Sequence, residues 1–513
     1  MALLPQSSKS VSSESHGVRR HTEGSMRSFW RLPLLALPIL TIMGVPLRAE
    51  IDATENFPLV EPATPDFSDV IPLPPARPKN LVLAPVPLSF REAVRAAILD
   101  RAIQTKNEGI ATFYVSRDGA PIFVTRDGIS PKGHAVLARL ALSSDDGLDT
   151  PALSKLDPSG ETDPDSLAQV EIDMAQAAIA YARTARGGRV EPRRLGKLIT
   201  PNLALPSAFD VLETLAAARD ADRALLSYNP PHEGYRMLRA KLAELRETTG
   251  TIDTSIVTES KKPAPAPISV ADVLANMERW RWLPADLGER HIIVNVPEYR
   301  LRLIDQDRIT HEARVIVGKP NTQTPVFSDV MEHIIVNPSW SIPPSILRNE
   351  ILPKLAQDPD YAAKLGYQVY RSGKSISVRQ PPGERNALGL VKFMFPNEHA
   401  VYLHDTPNRS LFARDQRAFS HGCVRLDQPF RLAEILLAEQ GYTEQRLRGM
   451  VGSGERMIKL TKPVPVHLTY FTLKIGENGQ LERVADIYNH DQGLKTALAT
   501  QGRASYARLG QAR

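Results

Sequence analysis

From Leu88 to about Leu245 apolar residues recur at three- and four-residue spacing, and from His291 onward they recur at every second position. That change of period predicts an α+β chain, a mostly helical N-terminal part followed by a predominantly β part. In the first part, Ser89 precedes the helical run Phe90–Leu99, and Leu167–Thr184 is a long alanine-rich amphipathic segment. Between them Phe113–Val124 reads as a hairpin turning at Asp118-Gly119. In the second part strands are predicted at His291–Val296, Tyr299–Leu303, Ala313–Val317, Glu332–Asn337, Leu390–Phe395, Val401–Leu403 and Val464–Leu473. The alternation breaks from Trp340 to about Leu388, where a helical segment (Ile346–Leu355) and Tyr361, Tyr367 and Tyr370 form an insertion. An insertion of that size inside a β domain reads as a lid or binding element.

Proline-rich stretches mark the boundaries. Nine prolines between positions 58 and 87 predict an extended tether, and Thr248–Pro267, ending in Pro-Ala-Pro-Ala-Pro, predicts a second linker. Ser269-Val-Ala-Asp272 has capping-box spacing for a helix leading into Met277-Glu-Arg-Trp-Arg-Trp-Leu-Pro284, whose tryptophans are expected to pack it onto the next domain. The expected organisation is therefore a leader (1–49), a tether (50–87), a helical scaffold (88–247), a linker (248–267), a β domain (268–490, insertion about 343–388) and a C-terminal tail (491–513). Within the leader, the uncharged stretch Leu32–Val45 is fourteen residues long, short for a membrane span and suited to an export signal. Cleavage after Ala49 and retention as an anchor are both open, and Met26 is a second candidate start.

The formal charge of +5 changes little: residues 1–50 hold six basic and three acidic side chains, leaving 57 against 55 elsewhere. Such a balance excludes a nucleic-acid footprint. The single cysteine, Cys423, excludes an intramolecular disulfide. It lies in Ser420-His-Gly-Cys-Val-Arg-Leu426, and His404 stands nineteen positions upstream where a strand meets His404-Asp-Thr-Pro407. A thiol is largely protonated at neutral pH and needs a base or positive surroundings to act as a nucleophile. Gly422 lets the chain turn, so that backbone N–H groups of His421, Gly422 and Cys423 can face a developing oxyanion. His421 has two readings, a second base or a residue of backbone and packing role. His404, His421 and Cys423 are also zinc-ligand types, but no fourth close ligand or usual zinc spacing accompanies them, so no metal is expected.

The histidine, the fifteen-residue loop Asp405–Phe419 and Ser420-His-Gly-Cys423 closely resemble the signature of the L,D-transpeptidases, the YkuD-type catalytic domain. Asn276–Pro284, Val317-Gly-Lys319 with Thr324-Pro325, Asn337-Pro-Ser-Trp340, and Tyr470 with Asp486-Ile-Tyr488 resemble the larger periplasmic, YcbB-like branch. The resemblance implies Cys423 as nucleophile, His404 as general base and acid, and His421-Gly422 as the oxyanion loop. It implies a backbone carbonyl near Asp405 as the group that orients the imidazole, with the Asp405 carboxylate as alternative. By analogy Trp340, Tyr370 and Tyr402 line a donor cleft beneath the capping insertion. Arg425 stands where small members carry Asn; it reads either a substrate carboxylate or pairs with Asp427 or Asp405. The peptidoglycan-binding module of that branch has no counterpart pattern here. The implied partner is the peptidoglycan stem peptide, with no cofactor and no nucleic acid, for a monomer in the periplasm, membrane-tethered where the leader is retained. The implied reactions are 3→3 cross-linking, L,D-carboxypeptidase cleavage or D-amino-acid exchange; a catalytically silent wall-binding scaffold is the non-enzymatic alternative.

Overall fold

The structure, a computed structural model, describes residues 88–148, 163–249 and 267–511 apart from Lys374 and Glu477, with no side chains described beyond Thr500. The leader, the tether and most of the Thr248–Pro267 linker lie outside the described residues. Among the described residues no helix is long and apolar enough to cross a membrane.

The N-terminal part is helical, as its period predicts. Ser89 and Glu92 form a reciprocal capping box on Phe90–Gln104, Asn107 caps Glu108–Ser116, and Asp163 caps the long helix Pro164–Gly187. These helices pack around Ile98, Phe113, Tyr114, Met174 and Leu212, all essentially inaccessible. The segment Phe113–Val124 is not a hairpin. Ile110, Phe113 and Tyr114 instead share one helical face, buried in this core, and the helix runs through Ser116. The true hairpin is smaller and later, Val124–Thr125 against Gly128–Ile129. The chain between helix and hairpin finds its partner in a side chain: Glu171, fully buried, accepts the N–H groups of Ile122, Phe123 and Val124 and the Tyr114 hydroxyl. Four donors on one carboxylate replace the strand that local pattern suggested.

The β part is built on nine strands: β1 (Arg290–Asn295), β2 (Arg300–Asp305), β3 (Arg308–Gly318), β4 (Phe327–Val336), β5 (Val391–Met394), β6 (Leu403–His404), β7 (Ala418–Ser420), β8 (Val424–Leu426) and β9 (Arg456–Thr469). Their order is β7-β3-β8-β6-β5-β4-β9-β1-β2, and β2 also pairs with β3, so the sheet closes on itself. Inward positions such as Ile292, Val294, Leu301, Val315, Ile334, Phe393 and Leu403 are fully buried. The helix Pro429–Leu437 covers one opening with Phe430, Leu432, Ala433 and Leu437. The stretch from 491, read as a tail, belongs to the helix His490–Gln511, which inserts Leu494 and Leu498 into the same core.

The helix Val270–Arg281 joins the two parts. Its capping box uses Ser269 and Asp272, and Val273 and Met277 pack on Tyr235, Leu238 and Leu242 of the scaffold. Trp280 stacks on Phe471 at 4.5 Å between ring centres, and Trp282 is buried in the β core. Glu278 and Arg281, both buried, pair at 3.2 Å; Glu278 also accepts from the Val190 N–H at 2.7 Å, and Arg281 donates to Asp146 O and the Tyr235 hydroxyl. A second seam runs beside β4, where Val326 exchanges backbone hydrogen bonds with Leu198 and Thr200 of the scaffold.

Candidate active site

Register assembles the site. His404 on β6 lies opposite Lys392 on antiparallel β5 and opposite Arg425 on parallel β8. Cys423 enters β8 one residue ahead of it, on a turn made at Gly422 with φ of 116°, a region that glycine adopts without strain. The turn is pinned from beneath. The Ser420 hydroxyl donates to Cys423 O at 2.5 Å and accepts the Gly422 N–H at 3.1 Å. The Thr324 hydroxyl donates to Gly422 O at 2.8 Å while accepting the Gly318 N–H, and the Tyr488 hydroxyl donates to Gly318 O. The Gly422 amide is therefore already engaged and does not face an oxyanion. Ser420 takes it because the turn folds back on its own hydroxyl; among the described residues the His421 and Cys423 amides have no protein acceptor.

The half-buried Cys423 sulfur lies 4.0 Å from Ala400 O, and the backbone N–H and the hydroxyl of Tyr402 favour its ionised form. Burial pushes the thiol above its ordinary range, while those two donors, Lys392 and Arg425 favour the thiolate. Trp340 in turn acts on the Tyr402 hydroxyl, favouring its ionised form. Lys392 Nζ sits 3.8 Å from the Tyr402 ring centre, and the Tyr402 and His404 rings meet edge to face at 5.7 Å. Burial raises the Tyr402 hydroxyl, and the neighbouring thiol adds to the shift.

His404 is buried, with Nδ1 2.5 Å from the Asp405 carbonyl oxygen. In the neutral ring Nδ1–H donates there, leaving Nε2 as the basic nitrogen. Burial and then Arg425 push its pKa down to about 3, against the pull of the Asp405 and Leu388 carbonyls. The Asp405 carboxylate is occupied elsewhere, accepting from the Leu390 N–H and from Arg409 at 2.9 Å each. Among the described residues no hydrogen bond joins the thiol to the His404 ring; such bonds often tighten only around a bound substrate.

Arg425 is half-buried, and its Nε is buried without a hydrogen-bond partner among the described residues. Neither acid considered for it is available: Asp427 binds Arg314 at 2.8 Å, and Asp405 binds Arg409. The His421 ring pairs with Glu350 of the insertion, Nε2 to Oε1 at 2.6 Å. Glu350 belongs to a π-helical turn, Leu347–Ile351, an irregularity frequent at functional positions. Tyr370 is not brought to the site. It lies on Gln368–Ser372, whose inward side chain Val369 packs in the insertion's own small core, so Tyr370 is 50% exposed and its hydroxyl donates to Gln368. A cleft of about 450 Å³ opens beside the turn, lined by Leu198, Pro320, Gln323, Val401, His421 and Gly422. Among the described residues no group of three or more His, Cys, Asp or Glu is placed to share a metal ion.

Sequence reasoning missed Lys392 and Glu350, and it quoted Thr324 and Ser420 as motif residues without the part their hydroxyls play in the turn. The one signal for Lys392 was a single charge inside the apolar strand Leu390–Phe395.

Residues 289–464 match the family model of the L,D-transpeptidase catalytic domain, YkuD, and residues 108–242 match that of a scaffold domain. A Haemophilus influenzae protein named "Putative L,D-transpeptidase" is 36% identical over 240 residues, 43% of this chain and 48% of the relative. The chain thus spans about half the length of that curated relative. An L,D-transpeptidase from Mycobacterium smegmatis is similar at 12% identity over 35% of this chain and 58% of its own, with a TM-score of 0.20. The catalytic domain of an E. faecium L,D-transpeptidase acylated by ertapenem is similar at 13% identity over 35% of this chain and 97% of its own, with a TM-score of 0.16. Superpositions that partial transfer no geometric detail.

Proposed function

From a chain that carries a YkuD-type L,D-transpeptidase catalytic domain beside a scaffold domain, we infer a cysteine acyltransferase that cross-links peptidoglycan stems outside the cytoplasm. The observation that carries this reading is the sulfur of Cys423 set among Tyr402, Lys392 and Arg425, with a neutral His404 on the adjoining strand. At rest the pair is a thiol and an uncharged imidazole. Four favourable groups lower the cost of the thiolate, and Nε2 of His404 accepts the proton.

In the acylation step the sulfur attacks the carbonyl of the third residue of a tetrapeptide stem, a diaminopimelate, and an S–C bond forms. The C–N bond to D-Ala breaks as His404 returns the proton to the leaving amine. The amine of a second stem then attacks the thioester, giving up a proton to His404 and releasing Cys423. The free amides of His421 and Cys423 are the backbone donors left to receive the oxyanion. Trp340 and Tyr402 line the donor side. The half-buried Arg425 guanidinium, its Nε without a hydrogen-bond partner among the described residues, suits a stem carboxylate, because an arginine fork pairs with a carboxylate in bidentate fashion. The insertion, held to the catalytic turn through Glu350 and His421, supports closure over the thioester that keeps water out.

Incubation with a disaccharide-tetrapeptide tests this. Dimer lighter than two substrates by one D-Ala is the expected product; tripeptide alone would make the protein a carboxypeptidase, and unchanged substrate would make it a wall-binding scaffold.

A further inference from the structure

Sheet register sets three basic side chains in one row: Lys392 on β5, His404 on β6 and Arg425 on β8. Residues directly opposite one another across a ladder share a face of the sheet, so this row lies on the side where Cys423 enters β8. Tyr402, two residues before His404, shares that face. Its hydroxyl and amide favour the Cys423 thiolate, and its ring carries Lys392 Nζ at 3.8 Å. Among the described residues no carboxylate pairs directly with Lys392. The acid acting on it, Glu455, is held by the N–H and hydroxyl of Ser339, beside Arg379. A half-buried ammonium without a direct counter-ion is costly; the Tyr402 ring covers it, and the group whose ionisation would balance its charge is the Cys423 thiol.

We propose that Lys392 is the counter-charge against which the Cys423 thiolate forms, a positioning residue for the nucleophile that leaves His404 to act as proton acceptor alone. The proposal rests on the reading of Cys423 as nucleophile. The electrostatics agree with it from each side. Burial depresses the Lys392 ammonium and Cys423 opposes that shift; burial raises the Cys423 thiol and Lys392 opposes it. His404, held near 3 partly by Arg425 and Lys392, is uncharged through the neutral range in the resting site, so before proton transfer it is not the thiolate's positive partner. The groups acting on the sulfur are thus Lys392 from β5, Tyr402 from the approach to β6 and Arg425 from β8; His404 lies between those two cations in register, and Glu455 acts on Lys392. In the resting site the fixed charge and the proton acceptor are separate residues, whereas a preformed thiolate–imidazolium pair would combine them.

The test is the pH profile of iodoacetamide alkylation, read by intact mass on the whole protein. Cys423 is the only cysteine, so the reagent reports on this sulfur alone. Removing an adjacent opposite charge shifts an ionisation by about one unit or more. Lys392→Gln is therefore expected to move the profile midpoint up by about one pH unit, and Lys392→Arg to leave it near the wild-type position. Lys392→Met, which fills the groove without charge, gives a second reading should the glutamine variant fold poorly. A Gln or Met profile superimposed on wild type would overturn the proposal, and so would an Arg variant shifted as far as Gln. Alkylation needs no wall substrate. A shifted profile in a protein that forms no cross-links would sustain the counter-charge and reject the proposed reaction; cross-linking with an unshifted profile would do the reverse.

Discussion

Replacing Cys423 by alanine is expected to bring cross-link formation down to the protein-free background while leaving the melting temperature close to wild type. The side chain is small, half-buried and makes no strong hydrogen bond as a donor, so its loss costs the fold little. It is the sole thiol, so no neighbouring group can take over the nucleophilic step. Removing the base should be severe but not total: His404→Gln is expected to slow turnover by roughly a hundred- to ten-thousandfold, the usual worth of positioned proton transfer. Because nucleophile and base act as one unit, the double variant should be no slower than Cys423→Ala alone. Rates of dimer formation by liquid chromatography and mass spectrometry check all three. A His404→Gln enzyme running at wild-type rate would remove the proton acceptor from the mechanism.

The largest stability effect is expected at a residue that never approaches the thiol. Glu278 is fully buried on the helix that joins scaffold and β barrel, opposite the equally buried Arg281. Glu278→Ala strips that guanidinium of its carboxylate and leaves the Val190 N–H without its acceptor. Breaking a buried ion pair from one side costs about 3–5 kcal/mol, because the remaining charge stays out of water. Urea unfolding should show that loss in Glu278→Ala. Glu278→Leu combined with Arg281→Met should recover much of it, since no buried charge is then left alone. A single variant within about 1 kcal/mol of wild type would mean that the pair opens to solvent, contrary to its burial.

How much of this was legible in the chain follows from the range of the interactions involved. The switch of period near His291 was readable because burial repeats along each strand, and the Trp280-Arg-Trp282 run because two large rings on a helix end need a surface to cover. The spacing of His404 from Cys423 carried the family resemblance. The misreading of Phe113–Val124 came from a distant acid: Glu171 satisfies three amides that a strand partner would otherwise have served, and nothing near position 113 announces it. Lys392 escaped for a similar reason. Its place beside His404 is a matter of register between strands, and a one-residue slip would have turned it to the other face. Tyr370 was grouped with Trp340 and Tyr402 as an aromatic of the insertion, yet the alternation of its own hairpin sends it outward. Glu350 reaches His421 only because the insertion folds back over the catalytic turn, a contact between residues seventy-one positions apart.

Intact-protein mass spectrometry after an acid quench, on protein mixed with a disaccharide-tetrapeptide, tests most directly that Cys423 carries the acyl group. The expected spectrum shows a single adduct equal to the substrate less one D-Ala, present in the wild type and absent from Cys423→Ala. An adduct of that mass on Cys423→Ala, or cross-linked product from wild type with no adduct at any quench time, would contradict covalent catalysis through this thiol.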